Sequence, residues 1–245
     1  MRSSGERRRT VMAFGDAARR RPQSIERDFD ALFRYMRSKR FRNGEDTGGE
    51  PADYIYAYHP EKELEVARRI PLLVSRLQGM DPVDADDTAP AVLVIDLYEL
   101  AMQVMKDDDV FDAAVEQEPD MHGDEEEGVD GDEFYQALAN MLDPDGDGLK
   151  DALKDRYRRA NEHDEADLVF VIGVGRVYPY IRAHALLASL QKIMPEHTPV
   201  VLFFPGTYEK TASTVSVMRL FDRLEADNYY RAFSLNTAIQ EGADA

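Results

Sequence analysis

The residues that could carry chemistry in this 245-residue chain gather in four places. Gly173-Val-Gly175-Arg176-Val-Tyr178 follows an apolar run, and glycines at that spacing before a helix let a backbone approach a phosphate. The third glycine of a dinucleotide fingerprint would fall at Tyr178, whose bulk blocks close approach, so a tight strand-to-helix turn is the competing reading. Arg176, Arg182 and His184 lie near that turn and suit an anion or a partner's carboxylate. A second apolar run ends at Pro205-Gly206-Thr-Tyr208. The third place, Asp143-Pro-Asp145-Gly-Asp147-Gly148, matches the first half of a calcium loop, with Asp151 at its ninth position. Lys154 stands where that loop needs a bidentate Glu, which favours a solvated turn opening a helix. The fourth is Asp227-Asn228-Tyr229-Tyr230-Arg231, a polar-aromatic cluster of the type enriched at binding hot spots. Its competing reading is a strand on which Tyr229, Arg231 and Phe233 share one face.

No catalytic constellation emerges beside these. His59, His122, His163, His184 and His197 include no pair at helical ligand spacing, and the chain has no cysteine. There is no Gly-Lys-Ser/Thr of a phosphate loop and no Gly-x-Ser-x-Gly elbow. Asp96, at the end of an apolar run, stands where α/β enzymes often place an acid, but capping the following helix is the simpler role. No catalytic residue, cofactor or metal is therefore assigned.

The elements that must position these residues follow from periodicity. Asp167–Ile172 and Pro199–Phe204 are short and almost wholly apolar, as strands covered on both faces are, and an amphipathic helix running to Gln191 joins them. Such a βαβ unit implies a parallel sheet, whose sites gather at the carboxyl ends of the strands, so the bends at Gly173 and Gly206 belong side by side. Upstream, a helix is expected from Ile25 to Met36, a strand over Tyr54–Tyr58, and a helix carrying Leu64, Ala67, Ile70, Leu73 and Leu77 that Pro71 should break or kink. Ala91–Asp96 reads as a strand, and Leu97–Met105, Phe134–Leu142 and Leu149–Ala160 as helices. Val215–Leu224 is expected to be helical, Tyr229–Leu235 a last strand, and the tail from Asn236 frayed. The fold class is α/β, a Rossmann-like doubly wound, mainly parallel sheet of four to five strands with helices on both faces.

Charge divides the chain unevenly. Residues 1–42 carry a net charge of +8 and the remainder −26, which together give −18. Residues 1–22, with Arg7-Arg8-Arg9 and Arg19-Arg20-Arg21, read as a basic arm that either meets an anionic partner or docks back on the body. The acidic body repels DNA, so nucleic acid is expected at most indirectly or through the arm. Residues 116–132 read as an acidic surface insertion within one domain spanning 23–236, and 237–245 as a tail. Asp outnumbers Glu 28 to 20 and Arg outnumbers Lys 23 to 7, a surface suited to a salt-rich, halophilic cytoplasm where charge repulsion is screened. No apolar run reaches the ~20 residues that span a bilayer, so a cytoplasmic protein without membrane contact is expected.

Three blocks carry a family resemblance: Val169–His184, Pro199–Tyr208 and Leu220–Phe233. In that order they resemble the BrxB family, a component of BREX anti-phage systems. Asp53–Leu64 and Val92–Leu100 extend the match, which falls in pieces between Ile25 and Leu235. The resemblance implies a small accessory protein working inside an assembly, beside a large ATPase, an alkaline-phosphatase-like protein and a DNA methyltransferase. It brings no catalytic residues with it. The expected function is thus a non-catalytic scaffold of a phage-defence complex. The alternative is a nucleotide- or anion-binding enzyme with its site around Gly173 and Gly206.

Overall fold

Parallel pairing governs the architecture. In the computed structural model, which describes residues 23–48, 50–121, 133–163, 166–210, 216–225 and 232–241, five strands lie in parallel register. They are β1 (Asp53–Tyr58), β2 (Val92–Asp96), β3 (Leu168–Ile172), β4 (Val200–Lys210) and, after two intervening strands, β7 (Phe233–Ser234). Their spatial order is β2-β3-β4-β1-β7. Tyr56 pairs with Phe203 across β1 and β4, and Val171 with Leu202 across β3 and β4, which brings the carboxyl ends to one edge.

Helices cover both faces of this sheet, as expected of the fold class. One face receives α1 (Ile25–Met36), α3 (Glu63–Gln78) and α9 (Leu235–Glu241), against Tyr54, Tyr56, Phe170, Val201 and Phe203. The short α2 (Lys39–Arg42) adds Phe41 to the same core. The other face receives α4 (Leu97–Asp107), α5 (Phe111–Met121), α6 (Glu133–Met141), α7 (Asp147–Asn161) and α8 (Ala183–Ile193), against Ile55, Ile95, Val169, Val171 and Phe204. Successive strand residues point to opposite faces, so the interior of β3 and the Val200–Phe204 stretch of β4 are needed apolar by one layer or the other.

Four expectations are corrected. Pro71 sits inside α3, and of the expected break or kink the break does not occur: the helix runs from Glu63 to Gln78. Val66 and Ile70 before the proline, and Leu73 and Leu77 after it, are all buried, and four such burials at about 1.5–3 kcal/mol each outweigh the ~3 kcal/mol that an interior proline costs. The helix expected over Val215–Leu224 does not form in its described part, 216–224. β4 continues past Pro205 to Lys210 and turns into an antiparallel hairpin with β5 (Ser216–Leu220), which pairs with β6 (Leu224–Glu225). Met218 and Leu220 are buried and Arg219 is exposed, a two-residue period in place of the helical one. Among the described residues the last strand is the two residues of β7, and the tail expected to fray from Asn236 forms α9 as far as Glu241. Leu235 and Ile239 bury that helix, while the Asn236 side chain donates to Ala57 O and accepts from Ala57 N, both at 2.8 Å, continuing the sheet pairing where β7 stops. Residues 1–22 and most of the acidic insertion lie outside the described residues.

Candidate functional site

The carboxyl edge of the sheet assembles from four chain segments. β3 ends at Gly173, whose φ of 83° is the left-handed conformation that glycine adopts without strain. A 3-10 turn over Val174–Arg176 follows and swings Arg176 back over the end of β2. There its guanidinium donates to Asp96 Oδ2 at 2.5 Å and lies 5.5 Å from the centre of the Tyr98 ring. Asp96 Oδ1 meanwhile accepts from the backbone N–H groups of Tyr98 and Glu99, capping α4. One carboxylate thus satisfies a helix terminus and an arginine together. A side chain on Gly173 would meet the Arg176 guanidinium at 2.7 Å and Asp96 at 3.1 Å, so this glycine makes room for an internal ion pair.

The second half of the edge belongs to the hairpin. Gly206, in the middle of β4's path, has a φ of 156°, and a Cβ there would stand 2.0 Å from the carbonyl oxygen of Arg219. Only glycine lets β5 approach that closely. The turn after β5 places Phe221 and Asp222 at φ values of 55° and 59°, unusual for a bulky residue such as Phe. Phe221 packs against Gly175, whose added Cβ would lie 2.9 Å from its ring and 3.1 Å from Pro205, and edge-on to Tyr178 with centroids 6.3 Å apart. The Gly173 and Gly206 segments therefore do lie side by side. His59, at the end of β1, reaches Asp222 at 3.9 Å. Tyr58 donates to Glu63 at 2.6 Å; burial, then that carboxylate, push its hydroxyl well above the ordinary tyrosine range. It stays protonated and offers no base near neutrality.

Other residues singled out in the sequence fall elsewhere. Tyr208 is buried and donates to Ala232 O at 2.6 Å, tying the hairpin to the start of β7. Arg182 is exposed just before α8, and His184 is half-buried in its first turn. Tyr178 is exposed, preceding Pro179 through a cis peptide bond. Asp227, Asn228, Tyr229, Tyr230 and Arg231 lie outside the described residues. In the acidic turn before α7, Asp143 accepts from Asp145 N, Asp145 pairs with Lys192 at 2.7 Å, and Asp151 pairs with Lys154 at 3.3 Å, while Asp147 opens the helix. Among the described residues no three acidic or histidine side chains converge in a metal-holding group.

Sequence reasoning missed Phe221 and Asp222 because a Phe-Asp pair is no turn signal. It also missed a groove of about 960 Å³ that opens from this edge and runs along α3. Among the described residues, no helix is long and apolar enough to cross a membrane.

Comparison with known proteins takes in the blocks that build the edge. The profile of a family described as BREX protein BrxB matches residues 93–235, from β2 to the start of α9. A BREX protein BrxB from Bacillus cereus (strain H3081.97) is 28% identical over 211 residues, covering 86% of this chain and 97% of the relative. Another, from Escherichia coli O9:H4 (strain HS), is 26% identical over 196 residues, covering 80% and 84%. No solved structure matches. With more than half of its length under the family profile, the chain belongs to the BrxB family of BREX proteins.

Proposed function

We propose that this protein is a non-catalytic scaffold of a BREX phage-defence complex, bridging a large ATPase, an alkaline-phosphatase-like protein and a DNA methyltransferase. Family membership supports the setting. One observation carries the non-catalytic part: at the strand ends, where open α/β sheets keep their ligands, Asp96 is shared between the α4 terminus and Arg176. Arg176 and Asp96, the cation and the acid at these strand ends, are engaged with each other. The face built by Arg176, Tyr178 and the hairpin turn is then a shaped ledge for a partner protein, with Arg and Tyr as its anchors.

Co-purification from a host carrying the neighbouring BREX components is the test. The tagged protein is expected to bring down the ATPase or the phosphatase-like protein, and Arg176→Glu to reduce that capture. A monomer that captures neither would overturn the proposal. A melting temperature raised by one member of a nucleotide panel would instead favour an enzyme, since ligand at ~100 times its dissociation constant adds ~2.7 kcal/mol.

A further inference from the structure

The groove along α3 exists because the sheet is wider than the helical layer on that side. On β2, Leu93 and Ile95 face α4 and its neighbours and are buried, whereas Val94 on the opposite face is only half-buried. Val94 and Ile172 form an apolar floor, and Leu64, Ala67, Pro71 and Val74 of α3 form the wall. Leu64 is 75% exposed, a large apolar side chain facing solvent at the rim. The carboxyl-edge mouth holds Glu63 and Asp96, with Arg176 already paired to the latter.

The first described residue of the chain starts beside this mouth. Gln23 donates to Ala57 O at 3.2 Å and accepts from His59 N at 3.1 Å, so it straddles Tyr58, which lines the groove. The 22 residues before it hold seven arginines against Glu6 and Asp16, opposite in sign to the mouth. Between Arg7–Arg9 and Arg19–Arg21 lies an apolar quartet, Val11-Met12-Ala13-Phe14. The nine steps from Gln23 back to Phe14 reach up to about 30 Å. The 16-residue α3 is about 24 Å long, so the quartet reaches any part of the groove.

We propose that the N-terminal arm docks on its own body, with Val11–Phe14 on the Val94 and Ile172 floor and Arg19–Arg21 at the Glu63 mouth. A partner that uses the same groove then competes with the arm. The proposal stands independently of any BREX partner.

The chain has no tryptophan, so Phe14→Trp in the full chain supplies a unique fluorophore. Its emission is expected at shorter wavelength than that of a peptide of residues 1–22 with the same substitution, with several-fold less quenching by acrylamide. Leu64→Arg and Ala67→Arg, each added at the groove wall, should return quenching to the peptide's level. Asp155→Arg, on α7 across the sheet, should leave the protection in place. Leu64 is exposed enough that its replacement leaves the core intact, which keeps the result readable if Ala67→Arg unfolds. Quenching equal to the peptide's, or protection that survives Leu64→Arg, overturns the proposal. So does protection that grows with protein concentration, because a second copy would then be the source.

Discussion

The turn after β3 and the groove along α3 share Gly173 and Arg176, yet they are opposite kinds of surface. In the turn, polar groups meet internal partners: Arg176 with Asp96, Asp96 with α4, and Gly175 against the Phe221 ring. In the groove, Leu64 and the half-buried Val94 and Ile172 face open space. The difference teaches that a glycine-rich bend at a strand end is no sign of a ligand when its own neighbours fill it. The surface left to satisfy lies beside it. If that contrast is right, changes to the glycines of the edge and to Asp96 act on stability, whereas changes on the exposed groove and ledge act on binding.

The largest effect is expected at Gly206. Alanine there places its Cβ 2.0 Å from a backbone oxygen, which cannot move without parting β4 from β5, and urea unfolding should show a loss of about 3 kcal/mol or more. Gly175→Ala meets only the ring of Phe221, at 2.9 Å, and the ring can shift, so about 1 kcal/mol is expected. Equal losses at the two positions would show that the hairpin is not braced through its backbone.

Asp53 offers a change that touches neither surface. It is buried at the start of β1, where burial pushes its carboxyl up to about 6 in spite of a hydrogen bond from Gln191. A raised carboxyl pKa means that the folded state holds the proton more tightly. The stability it contributes is present below pH ~4 and is lost as pH rises through about 6. Asp53→Asn keeps an acceptor for Gln191 and removes the buried charge. It should gain about 2 kcal/mol at pH 7 and almost nothing at pH 4, read from denaturant midpoints at both pH values. Because it leaves the edge alone, partner capture should not change with it.

Next in size is Asp96→Ala. It removes the cap of α4 and the anchor of Arg176 in one step, and about 1 kcal/mol of thermal stability is expected to go. Freeing Arg176 should not create nucleotide binding if the turn is a structural device. A nucleotide-dependent rise in melting temperature in this variant alone would show that Asp96 masks an anion site.

Much of this edge was legible in the chain, and the reasons are local. The runs Leu168–Ile172 and Val200–Phe204 are apolar without alternation because both faces are covered, and Asp96 followed by Leu97 is a cap signal that needs no tertiary knowledge. What stayed hidden depends on distant partners. Met218 and Leu220 alternate over too few residues to outvote a helical spacing, and their burial comes from pairing with β4. Phe221 accepts a left-handed backbone because Gly175 and Tyr178 pack on it from a segment more than forty residues away. The groove itself is a property of strand order: with β2 at the far edge of the sheet, the helical layer on that face covers Val94 only in part.

The smallest effect on stability is the sharpest test of the contrast. Leu64→Ser replaces an apolar side chain that is 75% exposed, so its removal from the folded state leaves no cavity and should change stability by no more than about 0.5 kcal/mol. A rim residue that contributes so little to its own fold has a different reason to be apolar, and exposed leucine beside an apolar floor marks a surface meant to be covered. The serine variant is therefore expected to melt like the parent while losing most of the acrylamide protection of the Phe14→Trp probe. If it instead loses stability on the scale of Asp96→Ala and keeps the probe protected, α3 needs Leu64 for its own packing, and the division between a locked turn and an open groove fails at its open end.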